Sequence, residues 1–468
     1  MSDLQEAMGR EPIGRLLWKF SIPSIVGMLA NGVYNVVDRI FVARGVGPDA
    51  LAGVAVVFPL ILLVQALSML VGHGAASIIS LRLGEGDRPR AEGVLGAGIT
   101  LSVMVGLLVV AGTAAFMQPL LLAFGGSPVT LPYAVRFTQV LLPGLFFQVI
   151  AFVLNNMIRG QGQPVTALVT MLVSAGVNCV LNPLFIFGLG MGVAGSALAT
   201  DLAQVVVVGW LLLVYTRRGA RLRLRAAALR PRGADVLDVL GVGAAPAFMQ
   251  IATGAALIVG NNVVMARAGD AGIAVLGVAT SLMTILLMPI IGMRAGVQPI
   301  IGYNYGARRY DRVRATVRIS LLSVVGFCAV AYGLFFAFTR PVIELFAKGA
   351  PEILALGVPS VRILLCSIPV VGIAIIGSVY FQSVKKGLPA LVINLVRQLL
   401  ALIPLYVLLP RWFGLWGFWA AGPVADALAV GLTIALLAPE MRRLRDASAE
   451  AAMRGGPAAR SPGARAVA

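Results

Sequence analysis

Charged residues are scarce in this chain: Asp, Glu, Lys and Arg make up 12% of its 468 residues, while 59% are hydrophobic. Soluble domains carry about twice that charged fraction, and a water-soluble protein of this size could not hide so much apolar surface. Histidine occurs once, at His73, and one imidazole cannot build a metal site. The three cysteines, Cys179, Cys328 and Cys366, are odd in number and far apart in apolar stretches, which excludes a disulfide framework and a zinc spacing. They are expected to pack as inert small side chains. Paired-carboxylate metal motifs, an activated nucleophile and a Gly-Lys-Ser/Thr phosphate loop are all missing, so enzyme chemistry and a cofactor find no support. Gly190, Gly192 and Gly195 do satisfy G-x-G-x-x-G, but they fall in a short turn between apolar segments rather than after a strand. Met1 to Glu11 lacks the apolar core of a cleavable signal peptide, so the first apolar segment itself serves as the insertion signal.

What fills the sequence instead is long apolar runs, each able to cross a hydrocarbon core of about 30 Å as a helix. They predict an all-α polytopic membrane protein with twelve transmembrane helices in two six-helix bundles. The first six lie near 16–40, 50–76, 91–116, 132–158, 164–188 and 193–215. The second six lie near 236–265, 272–302, 314–338, 355–383, 388–409 and 415–438. The corresponding units are an N-terminal lobe over 1–218, a basic linker over 219–235, a C-terminal lobe over 236–445 and a disordered tail over 446–468. Trp412, Trp416 and Trp419 cluster where the last two helices meet and are expected to form an interfacial anchoring belt.

The formal net charge is +18, which by itself would suit nucleic acid. Its distribution argues otherwise. With a cytoplasmic N-terminus and alternating spans, 8 of the 37 Lys and Arg fall outside, Arg294 and Arg397 fall within helices, and the remaining 27 are cytoplasmic. That asymmetry is the positive-inside rule, and it predicts a multi-pass protein of the bacterial cytoplasmic (inner) membrane with both termini cytoplasmic and the bilayer, not nucleic acid, as its partner. Seven Arg and no acidic residue lie between Arg217 and Arg232, a composition that suits anionic headgroups.

The two halves repeat at an offset of roughly 222 to 225 residues. Pro23 maps to Pro246, Gly53 to Gly277, Met69 to Met293 and Asp201 to Asp426. Because each half has an even number of spans, the repeats share one orientation, which suits a cavity between two lobes that rock about it.

Five stretches then stand in order at helix ends: Val37-Asp-Arg-Ile-Phe-Val-Ala-Arg-Gly-Val-Gly, Arg82-Leu-Gly-Glu-Gly-Asp, Ile158-Arg-Gly-Gln-Gly-Gln-Pro164, Asn182-Pro-Leu-Phe-Ile-Phe-Gly188 and Gln298-Pro-Ile-Ile-Gly-Tyr-Asn-Tyr-Gly306. In these the chain resembles the multidrug and toxic compound extrusion (MATE) family over about residues 10 to 440. The resemblance implies a V-shaped, two-lobed monomer that expels small organic cations and amphipathic compounds against a proton or sodium gradient. It also implies that Asp38, Asn178, Asn182 and Thr200 are the ion-coupling positions. Many family members carry Asp where Asn182 stands, and an amide offers an oxygen but no charge. That departure favours a proton at Asp38 over tightly bound sodium.

The polar residues carry a physical reading of their own. Asn31, Asn35 and Asp38 follow one helix face at i, i+4 and i+7, and a carboxylate inside a membrane faces an aqueous cavity or a partner. Alternatively Asp38 marks the outer end of its helix beside Arg39. Asn178 and Asn182 are again i, i+4, suited to the ion site or to plain interhelical hydrogen bonds. Asp201 points about 100° away from Thr200. Gln65, Gln250, Asn261 and Met283 join Asn31 and Asn35 as expected cavity residues, with Asn261 at the repeat position of Asp38. Pro23 removes a backbone bond from the first helix and serves as a hinge or a static bend. Arg397 needs a counterion in the membrane, and Asp426 is the candidate for a buried structural pair. Arg294 has no partner that spacing suggests. Within transport, a flippase for a lipid-linked saccharide is the alternative, though its cavity would call for several basic residues.

Overall fold

The computed structural model describes residues 8–217, 219–347 and 351–453. The N-terminal lobe comprises α1 (Ile13–Gly45), α2 (Pro48–Gly84), α3 (Arg88–Ala123), α4 (Leu131–Gly160), α5 (Pro164–Pro183, continued by a π turn, Leu184–Gly188) and α6 (Val193–Thr216). The C-terminal lobe comprises α7 (Gly233–Gly269), α8 (Ala271–Gly306), α9 (Tyr310–Ala347) and α10, in two rods, Pro351–Leu365 and Ile368–Ser383. It is completed by α11, residues 387–413, and α12, residues 415–453.

Helix ends follow from local chemistry. Proline stands in the first turn of α2, α3, α4 and α5, where its missing N–H costs nothing, and the Asp87 side chain caps α3 by accepting from Arg90 N at 3.1 Å. Two long rods are divided by glycine. Gly269 (φ 56°, ψ −150°) separates α7 from α8, and Gly414 (φ 57°, ψ −143°) separates α11 from α12, a conformation essentially closed to other residues. The Gly387–Glu450 stretch of 64 residues would run about 96 Å as one helix, three hydrocarbon thicknesses, and must be two spans. Gly269 and Gly414 each lie 222 residues after a positive-φ glycine of the first lobe, Gly47 and Gly192, so the internal repeat extends to the hairpin geometry. Twelve spans in two lobes result.

The lobes meet along two seams at the end that carries the chain's first described residues. In one, Gly243 of α7 approaches the Leu70 carbonyl and Gly74 of α2 approaches that of Val239, so closely that a Cβ would lie within 2.0 Å of each oxygen. In the other, α1 crosses α8 with Ser21 against Gly296 and Ile25 against Gly292. Ionic contacts close the same end: Asp238 pairs with Lys385 at 2.7 Å and with Arg82 at 3.6 Å, the latter reaching across the lobes. The stretch before α1 straps both together. The fully buried Met8 side chain rests against Gly162 of the α4–α5 loop, while the Met8 carbonyl accepts from Asn304 at 3.0 Å and Arg312 at 3.1 Å.

The linker between the lobes is docked rather than loose. Arg225 pairs with Glu92 of α3 at 3.3 Å, Thr100 donates to the Leu229 carbonyl at 2.9 Å, and Leu222 is fully buried. Arg221 donates to the Gly162 carbonyl at 3.3 Å, and burial there pulls its guanidinium below its ordinary pKa. Helix α12 runs on to Met453, into the stretch read as a tail; residues 454–468 lie outside those described.

Three expectations need correction. Trp412 and Trp416 are exposed, but Trp419 is fully buried, its ring against Phe418 at 5.1 Å; one turn beyond the Gly414 break, α12 has already turned into the lobe, where Phe418 stacks on Tyr406 at 4.5 Å. The tenth helix bends by 41° between Leu365 and Ile368, because Pro369 opens its second rod without an N–H to continue the first. Cys366 sits in that break and is exposed, whereas Cys328 is buried in the core.

Candidate functional site

In the N-terminal lobe, α1, α5 and α6 bring four polar side chains together around Asp38. Asn182 donates its Nδ2 both to Asp38 Oδ1 and, at 3.3 Å, to Asn178 Oδ1. Asn178 in turn donates to Thr200 Oγ1 at 3.0 Å, and Ser196 Oγ donates to the same Asp38 oxygen at 3.0 Å. The sequence places them so for simple reasons. Asn178 and Asn182 are one turn apart on α5, Ser196 and Thr200 one turn apart on α6, and Asp38 caps the polar face of α1. Directly after Asn182, Pro183 cannot donate a backbone hydrogen bond and the helix widens into the π turn Leu184–Gly188, a local irregularity common where a helix presents functional groups.

The cluster is rich in oxygen and poor in charge. Asn178 and Asn182 are buried, as is Ser196, and Asn182 Oδ1 has no hydrogen-bond partner. Asp38 is half-buried, and it contributes the carboxylate of this hydrogen-bonded set. Asp38 Oδ1 thus takes two donors, a setting that stabilises an anion.

The expected cavity residues are distributed over both lobes. Asn31 and Asn261 are exposed on α1 and α7, and Gln65, Gln250 and Met283 are half-buried on α2, α7 and α8. The Asn35 side chain lies outside those described. α1 stays helical through Pro23, which sits between Ser21 and Ile25, the two positions where α1 touches the other lobe.

In the C-terminal lobe a second buried carboxylate has a different fate. Arg397, on a π segment of α11 (Val396–Leu402), places Nε 2.5 Å from Asp426 Oδ1, and Ser367 at the α10 break donates to Asp426 Oδ2 at 2.6 Å. Asp201, the repeat equivalent of Asp426, has no such arginine among the described residues. Its carboxyl is pressed on Gly144 of α4, and its buried Oδ1 has no hydrogen-bond partner among the described residues. Arg294, which spacing left without a partner, donates to Gln382 Oε1 of α10 at 3.2 Å. His73 lies at the lobe seam, edge-on to Phe152 at 5.9 Å.

Sequence reasoning missed Ser196 and Ser367. Ser196 carried a usable signal, since it lies four residues before Thr200 and so on the same face of α6. Ser367 gained its place from the bend at Pro369.

Among relatives, the chain is 24% identical over 428 residues to the multidrug export protein MepA of Staphylococcus haemolyticus, covering 91% of this chain and 94% of that one. It is 25% identical over 424 residues to the FAD transporter of Shewanella oneidensis, covering 89% and 92%. A MOP superfamily transporter from Pyrococcus furiosus superposes with a TM-score of 0.89 at 24% identity, over 95% of this chain and 99% of that one. The MatE family profile matches residues 23–184 and 245–407, one match per lobe. The chain therefore belongs to the MatE family and is a MATE family membrane transporter.

Proposed function

We propose that this transporter is a monomeric secondary antiporter of the bacterial cytoplasmic membrane, with cytoplasmic termini, that exports small organic cations and amphipathic compounds in exchange for protons. The observation that carries the proposal is the Asp38 cluster, in which a single carboxylate is held by the neutral donors Asn182 and Ser196. A family profile covering both lobes and multidrug export relatives support the export of foreign compounds. The excess of basic residues on the loops of one face supports the orientation.

Asp38 takes up a proton from the acidic outer side, and the neutral acid no longer attracts a cation or the donors that hold it. Rotation of the Asn182 amide would let a protonated Asp38 donate to Asn182 Oδ1, the oxygen now without a partner. Loss of charge loosens α1 from α5 and α6, Pro23 supplies the hinge, and the cation leaves outward. Deprotonation toward the cytoplasm restores the two hydrogen bonds and resets the site. Sodium is disfavoured because a hard cation seeks more carboxylate than Asp38 alone supplies. Ethidium efflux under separately imposed proton and sodium gradients tests this. Efflux should follow the proton gradient in sodium-free buffer, and a sodium requirement that ignores pH would refute it.

A further inference from the structure

We propose that the seam between the lobes contains a second ligand site, for a phosphate group, gripped by Arg159 from the N-terminal lobe and Arg294 from the C-terminal lobe when the lobes part at that end. Arg159 is 8% exposed and lines a narrow cavity with Asn156 of its own lobe and with Ala295, Gln298 and Pro299 of α8. Its protein partners are neutral, Asn155 Oδ1 and Met171 Sδ at 3.5 Å. Among the described residues Arg294 likewise finds only the Gln382 amide, and its Nε is buried without a partner. Arg294 lies one turn before Gln298 on the same face of α8, and Gln298, which lines the cavity with Arg159, donates to the His73 carbonyl at 3.2 Å; the His73 Nδ1 is also buried and unpartnered.

Two half-buried arginines elsewhere in the chain have a carboxylate at hand. Arg82 has Glu85 and Asp238, and Arg397 has Asp426, whereas among the described residues no carboxylate lies within ion-pair distance of Arg159 or Arg294. Two uncompensated cations in a water-poor interface are unfavourable, and the cluster holds surplus donors of the kind a multivalent anion satisfies. Guanidinium pairs with phosphate through two parallel hydrogen bonds. Because the two arginines belong to different lobes, a phosphate held by both favours the conformation open at this end. The phosphate belongs either to a soluble compound or to a lipid headgroup entering along the seam. The site is independent of the Asp38 reading.

The test is equilibrium binding of labelled inorganic pyrophosphate to the full-length protein in nanodiscs of phosphatidylcholine, or of phosphatidylcholine with phosphatidylglycerol. Saturable binding is expected, weakened at least about tenfold by Arg159→Gln or Arg294→Gln and unchanged by Arg340→Gln, which removes an exposed arginine paired with Glu344 on α9. Should the glutamine variants fail to fold, Arg159→Lys and Arg294→Lys keep the charge but lose the fork, and should each weaken binding severalfold. A disulfide between Ser80→Cys and Gly302→Cys, whose Cβ atoms would lie about 3.2 Å apart, closes the seam and should block binding until reduced. Weaker pyrophosphate binding in phosphatidylglycerol discs identifies a lipid headgroup as the occupant, and equal binding in both discs identifies a soluble phosphate. Absence of saturable binding in both discs, or binding indifferent to both arginines, overturns the proposal.

Discussion

Asn182 of α5 donates to Asp38 of α1 across a gap of 144 residues, and the same amide nitrogen reaches Asn178 one turn earlier on its own helix. One neutral side chain thereby joins the carboxylate to the rest of the oxygen cluster. An acid at this position would change the cluster's charge without changing its reach.

Asn182→Asp should accordingly convert the site toward sodium. Two carboxylates and the oxygens of Asn178, Thr200 and Ser196 approach the donor set a hard cation prefers. Ethidium efflux driven by an imposed sodium gradient is expected to rise severalfold over the wild-type response. Unaltered sodium response in a folded variant would show that charge at 182 does not set ion choice.

Arg397 and Asp426 should behave as a structural pair. Arg397→Ala or Asp426→Ala strands the other charge inside a lobe, at a cost of about 3–5 kcal/mol, and should lower the melting temperature of the purified protein. The exchange Arg397→Asp with Asp426→Arg should recover part of the loss, a coupling that a double-mutant cycle measures. Single variants as stable as wild type but defective in efflux would assign the pair to transport instead.

At the repeat-related site the limiting contact is steric. A methyl at Gly144 would lie 1.6 Å from Asp201 Oδ1, so Gly144→Ala should destabilise the lobe by about 1–3 kcal/mol, as overpacking does. Adding Asp201→Gly should relieve most of that penalty. Equal melting temperatures for Gly144→Ala and wild type would contradict the packing described for α4 and α6.

Much of the fold was legible because membrane spans are encoded in single runs of sequence: the apolar segments marked all twelve helices, and the even-numbered halves marked the parallel repeat. The bend in α10 was missed although Pro369 signals it, because a long apolar run conceals a break whose backbone is satisfied by neighbours. Trp419 was misplaced because adjacency to Trp416 says nothing of how α12 turns after Gly414. At the site, Asp38, Asn178 and Asn182 stood out as polar residues in apolar helices and Thr200 came with the family resemblance, whereas Ser196 is chemically inconspicuous among Gly and Ala. Which donor meets Asp38 depends on how α1, α5 and α6 pack, and the seam between Arg159 and Arg294 on the docking of two lobes; neither is written at any one spacing.

The most direct measurement is uphill ethidium efflux by Asp38→Asn in proteoliposomes with an imposed proton gradient. The substitution keeps the shape of the side chain and an oxygen to accept from Ser196, so the protein should fold and still bind ethidium, yet efflux against a concentration gradient should fall to the level of protein-free vesicles. Gradient-driven efflux by Asp38→Asn at a rate comparable to wild type would show that the coupling proton is carried elsewhere.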